Sequence, residues 1–140
     1  MNSNDYELRG KTVDSEKITI NLGFVDLGHI DLLVKDGFYS NRTDFIRTAI
    51  RSQLATHAAQ AKKSITRQTL ELGLQRFTKV ELEKVQFAGE KLNVKVLGLV
   101  TIAHDVTPSL AVATIDSITV LGALHASREV KLALGARIKT

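Results

Sequence analysis

The sequence predicts an α+β protein built from two modules. Three observations lead there. A single alternating strand, "EKITINL" at 16–22, is followed by two helix patterns and by no second strand within about forty residues. Two near-continuous apolar stretches carrying V-L-G lie 24 residues apart, and a helix signal follows each of them. The first module therefore needs a second copy of the chain, in an intertwined dimer. The second is expected to stack as a small, solenoid-like β/α repeat that serves oligomerisation. The expected boundaries are a polar arm at 1–15, the first module at 16–60, a short basic linker at 61–68 and the repeat at 69–140.

In the strand, Lys17, Thr19 and Asn21 alternate with Ile18, Ile20 and Leu22, the pattern of a half-buried strand. Gly23 then starts a helix with Asp26 in its first turn, and Leu27, Ile30, Leu33 and Val34 share one side at helical spacing. Gly28 weakens this helix by about 1 kcal/mol relative to alanine, and Gly37 is the expected left-handed stop. Asn41 caps the next helix with Asp44 three positions on, close to a capping box, and Phe45, Ile46, Ala49, Ile50 and Leu54 form its apolar stripe. Arg42, Arg47 and Arg51 lie off that stripe.

A strand, a helix and a helix cannot bury enough apolar surface to fold alone. In a two-fold dimer the two copies of "KITINL" pair antiparallel, Ile18, Ile20 and Leu22 settle on four helices, and Lys17, Thr19 and Asn21 point outward. Such a two-stranded ribbon has the width to enter the DNA major groove. Residues 16 to about 56, in "KITINL" and in the glycine turn "KDGFYSNRTDFIRTAIR", resemble the ribbon-helix-helix DNA-binding proteins of the CopG/Arc/MetJ group. The resemblance implies that Lys17, Thr19 and Asn21 read bases, and that Ser40, Asn41 and Arg42, at the start of the second helix, clamp a phosphate. The residue types suit those tasks: lysine donates to guanine, asparagine pairs bidentately with adenine, threonine meets either edge, and a helix N-terminus attracts phosphate.

Residues 57–65, "HAAQAKKSI", read as the end of the second helix and a basic connector. In the repeat, "VKVLGLVTIAHDV" from Val94 and "ITVLGALHASREV" from Ile118 follow a fainter copy, "TLELGLQRFTKV" from Thr69. Helices are expected after each, capped by Thr78 with Glu81, started by Pro108, and capped by Ser127. The strands read as apolar throughout, as for parallel strands covered on both faces. Gly73, Gly98 and Gly122 fall at equivalent places, where a bulge or a close backbone approach is expected rather than a ligand site. No polar unit closes either end. The last unit, Ile118 to Ile138, is expected to expose apolar strand, so that Val120→Lys would separate assembled dimers.

Composition narrows the function. The 140 residues are 44% hydrophobic and 24% charged, with nine Lys/Arg against eight Asp/Glu in 1–63 and ten against seven in 64–140. That is an ordinary globular balance, and it names no partner by itself. The absence of cysteine removes disulfides, thiolate metal sites and cysteine nucleophiles. His104 and His125 sit at unequal repeat positions, Ser109 beside His104 and Asp105 reads as a helix-start hydroxyl, and V-L-G is no phosphate loop. The expectation is no enzyme, no cofactor and no metal. The polar start and the absence of a long apolar stretch point to a cytoplasmic, nucleoid-associated protein with no membrane partner. The chain reads as a sequence-specific DNA-binding transcriptional regulator, a repressor. Its partners are double-stranded DNA and itself, as a homodimer and, through 69–140, a tetramer or higher assembly. The alternative is a structural, filament-forming protein that uses the first module for dimerisation or DNA tethering. An antitoxin is a third reading, weakened by the patterned, apolar C-terminal half where a disordered tail belongs.

Overall fold

The computed structural model describes residues 15–140, which fall into two compact units, one ending at Gln60 and the other running from Ala61 to Thr140. The arm expected at 1–15 lies outside the described residues except for Ser15.

In the first unit, residues 15–23 form no regular element, and then come α1 (Phe24–Lys35) and α2 (Arg42–Thr56). "EKITINL" makes no ladder in the single chain. A strand needs the N–H and C=O groups of a neighbour, and this unit has no other strand among its described residues. Helix α1 buries the side foreseen from its spacing: Ile30 is buried and Leu27, Leu33 and Val34 are half-buried. Gly37 ends it at φ +85°. Its N–H donates to the Val34 carbonyl at 3.1 Å and the Phe38 N–H to Leu33 at 3.0 Å, the paired bonds of a glycine-stopped helix. The stripe of α2 divides. Phe45 and Ile46 are half-buried, with the Tyr39 ring edge-on to Phe45 at 5.0 Å, while Ala49, Ile50 and Leu54 stay exposed.

The connector expected at 61–68 is a helix instead: α3 spans Ala58–Gln68, with only His57 between it and α2. The cause is local. Ala58, Ala59, Gln60, Ala61, Lys62 and Lys63 are all strong helix formers, and no glycine or proline interrupts them.

The second unit alternates strand and helix: β1 (Glu71–Phe77), α4 (Lys79–Phe87), β2 (Leu92–Ile102), α5 (Pro108–Thr114), β3 (Ile115–His125), α6 (Arg128–Leu134), a 3-10 turn (Gly135–Arg137) and β4 (Ile138–Lys139). The strands are parallel and lie in chain order. The three helix starts hold as expected. Thr78 and Glu81 form a reciprocal capping box, Pro108 opens α5 behind the Thr107 cap, and the Ser127 hydroxyl accepts from the Val130 N–H. Strand β3 starts earlier than its motif, directly from α5. There the buried Thr114 hydroxyl donates to the Leu110 carbonyl at 2.8 Å, and Arg137 donates to the Val112 and Ile115 carbonyls at 2.8 and 2.9 Å.

Register puts the recurring residues in columns: Leu72, Leu97 and Leu121 are partners, as are Gly73, Gly98 and Gly122. The glycines take φ of +118°, +143° and +123°. A Cβ on Gly98 would stand 3.0 Å from the Gly73 carbonyl carbon and overlap its oxygen, and Gly122 meets Gly98 in the same way. The close backbone approach expected from sequence is therefore what Gly98 and Gly122 allow.

Coverage on both faces is not found. Val94, Val96, Val100, Ile102, Ile118 and Val120 pack with Leu82, Leu110 and Val130 of the helices. The leucines between them stay outside this core, with Leu72 68%, Leu74 53% and Leu121 39% exposed. Each unit of about 24 residues supplies one helix per strand, and α4, α5 and α6 neighbour one another in a single layer, so these helices cover one side of the sheet. Val120 belongs to that covered side at 4% exposure. Lysine there would destabilise the unit itself, so Val120→Lys cannot serve to separate assembled chains.

Candidate nucleic-acid interface

Lys17, Thr19 and Asn21 are all exposed, and so are the three side chains between them: Ile18 at 74%, Ile20 at 60% and Leu22 at 41%. An alternating segment with both of its faces in water is half finished. Burying three such aliphatic side chains stabilises by about 1.5–3 kcal/mol each, and this protomer leaves that contribution unused. Phe24, Val25, Ile50 and Leu54 extend the uncovered apolar surface of the same unit.

At the start of α2 the other three candidates lie together. The Asn41 side chain accepts from the Asp44 N–H at 2.8 Å, and the Asp44 carboxylate accepts from the Ser40 N–H at 2.9 Å. This reciprocal pair is displaced by one residue from a capping box, because Asp44 reaches the residue before the cap. It occupies the Ser40 amide and places a carboxylate where a phosphate would approach. Arg42 is exposed but already engaged. Its Nε and one terminal nitrogen donate to the two carboxylate oxygens of Asp31 on α1, each at 2.8 Å, a bidentate pair that clips the two helices. The Arg42 hydrogen bond, followed by its charge, holds the Asp31 carboxyl below its ordinary value of 3.8. A lowered folded pKa means that the contribution of the pair is present above the unfolded value and is lost only as pH falls through the lowered one. The clip is therefore intact at neutral pH.

Asp31 is the residue that sequence reading passed over. It follows Ile30 and lies four positions after Leu27, at the border of the apolar stripe. Its partner Arg42 lies eleven residues on, across the glycine turn, where no local spacing rule points.

Elsewhere, the Ser109 hydroxyl meets that of Thr107 at 3.2 Å, as a helix-start residue does. His104 and His125 both line an open cleft of about 360 Å³ at the carboxyl ends of β1, β2 and β3, beside Arg76. Among the described residues no group of three or more histidine or acidic side chains is placed to hold a metal ion. Among the same residues no helix is long and apolar enough to cross a membrane.

A polar-apolar alternating segment followed by two helices with a glycine turn between them is the outline of a ribbon-helix-helix chain. The pattern of the Ribbon-Helix-Helix transcriptional regulator family matches residues 13–131, and the chain belongs to that family. The match runs well past the first unit and takes in β1, β2 and β3. Regulators of this kind bind DNA and typically dimerise. No curated protein and no solved structure matches the chain.

Proposed function

We propose that the protein is a sequence-specific repressor whose dimeric ribbon reads the major groove, and whose C-terminal sheet links dimers on neighbouring sites. The observation that carries the first half is the alternation at 16–22, whose apolar side the single chain leaves in water. A second copy pairs with it, covers Ile18, Ile20 and Leu22, and brings two sets of Lys17, Thr19 and Asn21 onto one outward face. Ser40, Asn41 and Arg42 then flank the groove at the two starts of α2, where the helix dipole and the Arg42 and Thr43 amides favour phosphate. Linking through the sheet compensates for a nearly neutral first module, because weak single-site binding gains when adjacent dimers are joined. The setting for this work is the cytoplasm and its nucleoid.

Footprinting on a cognate site tests the ribbon. In the triple variant Lys17→Ala, Thr19→Ala, Asn21→Ala, folding is retained and sequence preference is lost. Asn21→Ala alone removes two base contacts per dimer, at about 1–3 kcal/mol each if bidentate. Unaltered preference in the triple variant removes these residues from base reading.

The clip yields a second expectation. Asp31→Asn releases the two Arg42 side chains of a dimer toward phosphates and removes two negative charges nearby. DNA binding tightens at low salt, and the slope of log affinity against log salt steepens by about 2. An unchanged slope means that Arg42 serves only to hold the helices together.

A further inference from the structure

The edges of the parallel sheet fit each other. Inside the chain, each step of the sheet seats the carbonyl of one column glycine on the bare Cα of the next: Gly73 on Gly98, Gly98 on Gly122. Gly73 has the same backbone form, φ +118°, and nothing lies within 4 Å of its Cβ position. The place that a preceding glycine carbonyl fills in the other two strands is open.

The opposite edge is open over the matching length. Strand β4 pairs with β3 only at Ile118 and Thr119, which leaves Leu121–His125 without a neighbour on that side among the described residues. Strand β1 aligns with the later part of β2, Glu71 with Val96 through Phe77 with Ile102. Carried through the β2–β3 register, Glu71 corresponds to Val120 and Arg76 to His125. A β1 laid on β3 in this register would begin one position after the β4 residue Lys139, which is opposite Thr119. The paired residues of β4 and of the incoming β1 would not overlap along β3, and Thr140, which follows Lys139, would turn aside from the Val120 position.

We infer that the sheet continues from chain to chain, the open half of β3 in one copy receiving β1 of another, with Gly122 against Gly73 and Leu121 against Leu72. The occupant is a second copy because each edge reproduces a surface already mated inside the chain: the same glycine column, the same leucine beside it, the same parallel direction. Glu71 and Gln75, hydrogen-bonded to each other on the helix side of β1, make this edge unsuitable for indiscriminate strand pairing. The contact is head-to-tail, so it propagates into rings or filaments rather than closing on a pair. It rests on the proposal that the sheet links chains, and it does not depend on what the ribbon reads.

The test is a disulfide across the junction. The chain has no cysteine of its own. Leu72 and Leu121 are exposed enough to replace, and within one chain they stand two strands apart, about 10 Å, beyond the roughly 7 Å that a disulfide can bridge. Across the junction they become direct neighbours. Oxidised without DNA, the full-length variant Leu72→Cys, Leu121→Cys is expected to give a ladder of covalent dimers, trimers and larger species on a non-reducing gel. A mixture of the two single variants gives a covalent dimer, and each single variant alone gives none. A double variant that stays monomeric on the gel overturns the inference. So does a single variant that links to itself as well as the mixture does, since that marks a two-fold packing. Footprinting of the same variants on a single site reports the ribbon separately, so loss of DNA binding and loss of the junction are told apart.

Discussion

Ile20→Asp is expected to abolish the folded dimer, and DNA binding with it, while the C-terminal sheet stays folded. In a lone chain the substitution would cost little, because Ile20 is 60% exposed. In the dimer it places two carboxylates between the ribbon and the helices. An ionised group buried without a partner costs several kcal/mol or is forced to take up a proton, against a stability of about 5–15 kcal/mol for a whole domain. The size of the effect therefore measures how far the second chain covers this side. Thr19→Asp, one residue away on the outward side, serves as the control: it should dimerise and melt normally while repelling phosphate-lined DNA. Sedimentation and thermal melting of both variants decide the matter. If Ile20→Asp still forms a dimer that melts at the wild-type temperature, the inward side of the strand has been misassigned.

Features set by neighbours a few residues away were legible in the sequence. The Leu27–Ile30–Leu33–Val34 stripe, the Gly37 stop, the caps at Asn41, Thr78 and Ser127 and the proline at the start of α5 all depend on contacts within one or two turns, and they stand where spacing put them. Features set by chain folding were not. Asp31 and Arg42 meet because two helices fold back on each other across the glycine turn, and neither residue announces the pair in its own window. The phosphate role expected for Arg42 thus competes with a carboxylate that only the fold brings near. In α3 the opposite happened: the basic character of "AQAKKS" suggested a connector, although alanine, glutamine and lysine favour a helix wherever nothing breaks it.

In the second unit the recurrence of V-L-G gave the order of the strands, since equal spacing puts equal residues side by side. It could not give the number of covered faces. Near-continuous apolar strands look alike whether helices lie on one side or on two, and here the leucines of L-G-L remain on the uncovered side while the valines meet the helices. An error of that kind moves a test mutation from the surface into the core, as Val120 shows.

The column glycines carry the last expectation, and it is large. Gly98→Ala should unfold or strongly destabilise the C-terminal unit, for two separate reasons. At φ +143° an alanine occupies backbone space that is essentially reserved for glycine, at about 1–3 kcal/mol. Its Cβ would also overlap the Gly73 carbonyl, so β1 and β2 must separate along the middle of their ladder. Gly73→Ala isolates the first cause, because its φ of +118° is strained in the same way but its Cβ would enter empty space. Melting at low concentration should therefore place Gly98→Ala well below Gly73→Ala, with Gly73→Ala only modestly below the wild type. At high concentration the order gains a second meaning. If chains join through β1 and β3, the Gly122 carbonyl of another copy comes to the Gly73 position, and Gly73→Ala chains should stay unlinked under conditions where the wild type assembles. Equal melting temperatures for Gly73→Ala and Gly98→Ala would show that backbone strain alone requires these glycines, and that the stacked carbonyls add nothing.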